Sequence, residues 1–210
     1  MDVKMYNADA KQDQFVAEIL NFKKDGTYLD IGSNDSIKSN NTYFLADSLD
    51  WKGICIEMDG SFSSTYKRKN NLFLSQNAAM VDYNGIFLDF FGDVRSIDYL
   101  SLDVDTASLS VLKNLPLSNF RFRVITIEHD YYLYGETYRA EQRNILGSNG
   151  YLLLCSDVYA EQEGYYGKQC SFEDWWIDPN EFSVDIIDKV KSSFEYPSSI
   201  ISKIKSPGLL

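Results

Sequence analysis

Six short apolar runs recur along this chain, and nearly every one gives way to a polar or acidic group. "TYLDI" carries Asp30, "GICIE" ends on Glu57, and "LFLS" is followed by Asn77. "IDYLSLDVD" closes on Asp103 and Asp105, "RFRVITIEHD" on Glu128 and His129, and "YLLLCSD" is the sixth. Runs of this length suit strands buried on both faces. Helical patterns separate them. Phe15, Ile19 and Phe22 fall at i, i+4 and i+7, a helical stretch covers about 40–49, and Ala107, Val111, Leu112 and Leu115 form a face that Pro116 stops. Another helix is expected over 137–147. "QCSFEDWWID" reads as a seventh strand and "NEFSVDIIDKVKSSF" as a last helix. Strands alternating with helices imply a parallel sheet covered on both sides. One domain is expected over 1–196. The Ser- and Pro-rich segment 197–210 reads as a poorly ordered tail, and "YKRK" (Lys67, Arg68, Lys69) as the solvated face of a helix.

Composition narrows the partners. The 210 residues are 44% hydrophobic, enough for one sizeable core, and carry a formal net charge of -11. That field opposes a polyphosphate, so no nucleic-acid partner is expected. No run approaches a membrane span and "MDVKMYNADAKQDQ" lacks the apolar stretch of a secretory signal, so the expectation is a cytoplasmic protein without a membrane partner. The three cysteines lack CxxC spacing, which points to buried thiols rather than a disulfide framework or a zinc site.

Ligands of an open parallel sheet bind beyond the carboxyl ends of its strands. The loop after the first run, "GSND", has Gly32 but no GxGxxG, and Asp35 would repel a phosphate. A nucleoside ligand that carries positive charge and no phosphate fits better, and S-adenosylmethionine is such a ligand. Asp30 is suited to its ammonium end, Gly32 to close passage of the chain, Glu57 to the ribose hydroxyls and Asn77 to the adenine edge.

"LDIGSNDS", "GICIEMD", "NAAMVDYNG", "IDYLSLDVD", "VITIEHD" and "FEDWWIDP" resemble, in order and spacing, the segments of FkbM-type S-adenosylmethionine-dependent methyltransferases, over about residues 14–180. The resemblance implies a class I methyltransferase fold: a Rossmann-like three-layer sandwich with a mostly parallel seven-stranded sheet whose last strand is antiparallel. It also implies methyl transfer to a hydroxyl of a sugar or other small molecule. By position, Asp30, Gly32, Ser33, Asn34, Glu57, Met58, Asn77, Ala78 and Asp103 are the expected cofactor residues. The chain departs from the family at Ser36, where a second glycine is common, and at "DVDTAS", where an acid-glycine-acid run is common.

Methyl transfer to oxygen needs an aligned acceptor and a group to take its proton. His129, the chain's one histidine, is a candidate base, with Asp103 and Glu128 beside it. The same three residues, Asp103, Glu128 and His129, are a candidate Mg2+ site that would lower the acceptor's pKa. Tyr131, Tyr132, Tyr134, Tyr165 and Tyr166 are candidate contacts to a saccharide acceptor. Two rival readings use the same residues. One is a nucleotide-sugar glycosyltransferase holding its metal on Asp103 and Asp105; the other is a non-catalytic module that keeps the fold.

Overall fold

The central strand β1 (Thr27–Ile31) is buried along its whole length and hydrogen-bonds on both sides, to β2 (Lys52–Glu57) and to β4 (Ser96–Leu102). The computed structural model describes residues 6–160 and 170–205. With β3 (Asn71–Ser75), β5 (Arg121–Glu128), β6 (Leu152–Tyr159), β7 (Ser171–Ile177) and the two-residue β8 (Ser192–Ser193), these strands form one sheet of order β3-β2-β1-β4-β5-β7-β6-β8. β7 runs antiparallel to both β5 and β6, and the remaining pairs are parallel. The expected seven strands are present, and β8 adds a short edge.

Side-chain alternation splits each strand between two cores. Leu29, Ile31, Leu100, Leu102, Ile125 and Ile127 face one side. There they meet α3 (Tyr83–Phe91), α4 (Ser108–Asn114) and α6 (Glu136–Ser148) through Phe87, Phe91, Val111, Leu112 and Leu146. Tyr28, Cys55, Tyr99, Val124 and Trp175 face the other, against α1 (Gln12–Ile19), α2 (Tyr43–Ser48), α7 (Val184–Val190) and α8 (Pro197–Lys205). The result is a helix-sheet-helix sandwich. A one-turn helix, α5 (Tyr131–Tyr134), follows β5.

Three expectations are corrected. Helix α3 has no counterpart in the sequence reading; Asp82 caps it by accepting from the Gly85 N–H at 3.1 Å, and Tyr83, Phe87 and Phe91 form its buried stripe. The segment expected to be a poorly ordered tail forms α8 over 197–205, whose Ile200, Ile201 and Ile204 are buried against α1 and α7. Pro197 opens that helix, where a missing N–H costs nothing. The "YKRK" run is not a helix face: it follows a 3-10 turn (Gly60–Ser64), and Arg68 turns inward. All three cysteines are buried and unbridged.

Candidate functional site

In the order β3-β2-β1-β4-β5, chain direction across the sheet reverses between β1 and β4, so their carboxyl ends border a crevice. Gly32, just past β1, sits at φ +82°, and a Cβ there would lie 1.7 Å from the Asp103 carbonyl oxygen. The two strand ends meet closely because this residue has no side chain. Gly32 and Ser33 donate their N–H groups to the Ile56 carbonyl at 2.9 and 3.2 Å, which turns the loop toward β2.

The loop is held from several sides. Asn34 adopts φ +47°, and its N–H donates to Glu57 Oε2 at 3.0 Å, while Glu57 Oε1 accepts from Asp59 N–H at 2.8 Å. Asp35 accepts from Ile37 N–H and Lys38 N–H, both at 2.9 Å, and these bonds lower its pKa. Asn40 Nδ2 and the Tyr66 hydroxyl both donate to the Ser33 carbonyl, at 2.7 and 2.9 Å. Arg68, which sequence reasoning set aside, donates twice to the Ser36 carbonyl (2.5 and 3.2 Å) and once to Thr42 Oγ1 (2.9 Å). Thr42 Oγ1 in turn donates to Asp30 Oδ2 at 2.6 Å. Burial raises the Asp30 pKa to about 6 against the opposing pull of Thr42 and Arg68.

A cavity of about 460 Å³ opens over this loop. Asp30, Gly32, Ser33, Asn34, Glu57, Met58, Asn77, Ala78 and Asp103 all line it, so every residue expected to hold the cofactor falls on one surface. Asn77 uses its side-chain oxygen to accept the Ala79 N–H at 2.9 Å. Ser33 Oγ is buried there without a hydrogen-bond partner. The surface of this cavity thus combines an unpartnered hydroxyl with the acids Asp30, Glu57 and Asp103, and no basic side chain lines it among the described residues.

A second cavity of about 420 Å³ adjoins the first, and Asp9, Ser39, Asn41, Asp103 and Asp105 line both. Its own walls include Glu128, Asp130, Tyr132, Leu133 and Phe172. No Lys, Arg or His lines either cavity among the described residues. The Asp103 and Glu128 carboxyls interact directly. Loss of hydration against the cleft wall, with the neighbouring acids, pushes the Asp103 pKa up, and the same causes push Glu128 up to about 11. Glu128 therefore keeps its proton well above the usual carboxylate range.

His129 does not join them. Its side chain is fully buried, Nδ1 accepts the Tyr131 N–H at 3.1 Å, and Nε2 faces Asp174 Oδ1 at 3.5 Å. The expected base and the expected metal set of Asp103, Glu128 and His129 are corrected accordingly: the carboxylate that joins Glu128 is Asp130, with Asp105. Strand alternation carries Glu128 to the cleft side and the next side chain away from it. Asp174 belongs to an ion network in which Arg143 holds Asp174 and Asp157 at 2.7–2.8 Å and Arg139 also binds Asp157. Those contacts lower the Asp174 pKa to about 2 despite burial. Tyr132 reaches the second cavity, Tyr131 stacks under the Arg139 guanidinium, and Tyr165 and Tyr166 lie outside the described residues.

This arrangement of sheet and crevice is the class I methyltransferase fold. Among solved structures, the chain is similar to a putative rRNA-methylase from Clostridium thermocellum, with a TM-score of 0.51, 10% identity and coverage of 83% of this chain and 99% of that one. It is also similar to an S-adenosylmethionine-dependent methyltransferase from Clostridium acetobutylicum, with a TM-score of 0.51, 11% identity and coverage of 81% and 92%. No family model and no curated protein matches the chain. Among the described residues, no helix is long and apolar enough to cross a membrane.

Proposed function

We propose that this chain is an S-adenosylmethionine-dependent methyltransferase that methylates a hydroxyl of a small molecule in the cytoplasm, without a nucleic-acid or membrane partner. The observation that carries the reading is Asp103. It ends the strand beside the cofactor loop and lines both cavities, so it stands where a bound cofactor and an acceptor would meet. The ordered segments that resemble FkbM-type enzymes support transfer to oxygen.

S-adenosylmethionine would supply an electrophilic methyl group on a sulfonium. The protein's part is to bind, align and take a proton. Asp30, behind Thr42 and Arg68, carries negative charge toward the cofactor cavity, and Glu57 offers the lone pairs its two backbone N–H partners leave free. Asp103 is the group placed to take the proton of the acceptor hydroxyl when that oxygen receives the methyl group, which S-adenosylmethionine would supply with a neutral thioether as its leaving group. The acceptor side needs no divalent ion in this scheme.

The glycosyltransferase reading leaves the Asp30 and Glu57 cavity without a ligand and asks a diphosphate to enter walls with no basic side chain among the described residues. Thermal unfolding separates the two. A ligand at about 100 times its dissociation constant adds roughly 2.7 kcal/mol, and each kcal/mol moves the midpoint by about 2–4 °C at this length. S-adenosylmethionine and S-adenosylhomocysteine are each expected to raise it by roughly 5–10 °C. A rise with a nucleotide sugar and Mn2+ alone, and none with the adenosyl ligands, overturns the reading.

A further inference from the structure

The second cavity gathers carboxyl groups that no Lys, Arg or His among the described residues of its walls faces. One oxygen from each of Asp105, Glu128 and Asp130 lies within 4.8 Å of the others. Asp130 is only 4% exposed, yet its Oδ1 has no hydrogen-bond partner, and neither has Glu128 Oε2. A buried carboxylate oxygen left unpaired is costly. The contrast inside the molecule is direct: Asp157 and Asp174, equally buried, are matched by Arg139 and Arg143. The acids of the cleft have no such cation among the described wall residues, and Asp9 adds a further acid to the lining.

The size and walls of the cavity narrow what would balance it. Its volume of about 420 Å³ far exceeds the share of a single ion or water, roughly 30 Å³. Tyr132, Leu133 and Phe172 stand beside the carboxylates, and a mixed acidic and aromatic lining suits an organic cation. An ammonium has three N–H donors, and tetrahedral bonds to them separate the acceptor oxygens by roughly 4.5 Å, the scale of this triad.

We infer that the acceptor carries an organic ammonium, as an amino sugar or amino alcohol does, held by Asp105, Glu128 and Asp130, with its carbon skeleton against Tyr132 and Phe172. The anchored amine leaves a neighbouring hydroxyl to face Asp103. The arriving positive charge draws the retained proton off Glu128, because an opposite charge favours the ionised carboxylate. The inference rests on the methyltransferase reading for the reaction, but the binding it describes is measurable without turnover.

The test is calorimetric titration of the full chain saturated with S-adenosylhomocysteine, at pH 7.5. The probes are glucosamine, galactosamine and 2-aminoethanol, each paired with its neutral N-acetyl twin, and MgCl2 alone. At least one amine is expected to bind tenfold or more tightly than its twin. Asp130→Asn, which suits the left-handed backbone at φ +45°, is expected to erase that preference, as is Glu128→Gln, with unliganded melting curves showing that each variant is folded. Equal binding of amine and twin, no binding of any amine, a preference that survives both variants, or tight Mg2+ binding lost in both overturns the inference. Failure of S-adenosylhomocysteine itself to bind strikes the methyltransferase reading instead.

Discussion

His129 Nε2 lies 3.5 Å from Asp174 Oδ1, and both side chains are withdrawn from solvent. Because Nδ1 already accepts the Tyr131 N–H, the imidazole has no lone pair left for the cleft. His129→Ala strands that N–H and empties a buried site, at a cost of about 1–3 kcal/mol. The variant is expected to melt lower yet bind S-adenosylhomocysteine like the parent. Its turnover is expected within a few-fold of the parent, measured once an acceptor is in hand. A folded His129→Ala protein with turnover down a hundredfold returns the histidine to the reaction.

Gly32 makes a different demand. With φ at +82° and a Cβ placed 1.7 Å from the Asp103 carbonyl oxygen, alanine cannot be accommodated by a side-chain adjustment. The obstacle is backbone of β4, itself tied to β1 by the bond from Asp103 N–H to the Ile31 carbonyl. Gly32→Ala is expected to push the strand ends apart. The thermal shift with S-adenosylhomocysteine should vanish, and unliganded stability should drop by more than the roughly 1–2 kcal/mol of the left-handed conformation alone.

Arg68 is a positioning residue of the cofactor loop. Its fork reaches the Ser36 carbonyl and Thr42 Oγ1 together, and Thr42 passes the contact to Asp30. A lysine offers a point charge without that fork. Arg68→Lys and Arg68→Ala are therefore both expected to weaken S-adenosylhomocysteine binding, by roughly tenfold, about 1.4 kcal/mol. Calorimetric titration gives the number. Unchanged affinity in the lysine variant would leave Arg68 a charge partner of Asp30 and nothing more.

The walls of the first cavity were legible because they lie at strand ends: an apolar run that carries Asp30 near its end or stops on Glu57 places that side chain at the crevice wherever the sheet is parallel. The walls of the second cavity were only partly so. Asp103 and Glu128 follow from the same rule; alternation past Glu128, which turns His129 away and brings Asp130 to the cleft side, was the signal in "EHD" that the sequence reading did not apply. Arg68 looked like solvated charge because its partners, Ser36 and Thr42, are brought to it only by the β1-to-β2 connection. Helix α3 escaped because "YNGIFLDFF" is apolar almost all round, so its Tyr83, Phe87, Phe91 stripe has no polar face to set it off. Helix α8 was hidden by its serines, although Ile200, Ile201 and Ile204 share one face.

The buried acids also set how stability varies with pH. Burial raises the pKa of Asp13 and Asp30 to about 6 and of Glu173 to about 8. A carboxyl raised in the folded state binds its proton more tightly there than in the unfolded chain. Its contribution is full below the unfolded pKa and is lost as pH rises through the folded one. Asp174, lowered to about 2 chiefly by Arg143, works in the opposite sense and contributes above the unfolded value. The unliganded protein is therefore expected to melt higher at pH 5 than at pH 8, and to lose stability again as pH falls from about 4 toward 2. Glu173 and Glu128, the latter raised to about 11, share the upper part of that window. Glu173 accepts from Trp175 Nε1 at 2.6 Å and Gln12 Nε2 at 3.3 Å, donors that offset only part of its burial. Glu173→Gln removes the ionisation, so the melting temperature should fall less steeply between pH 6 and 8 than in the parent, whose slope from this one group approaches about 1.4 kcal/mol per pH unit. Parallel curves for the two proteins across that range would assign the loss to the other raised acids, Glu128, Asp130, Asp13 and Asp30, and place Glu173 outside it.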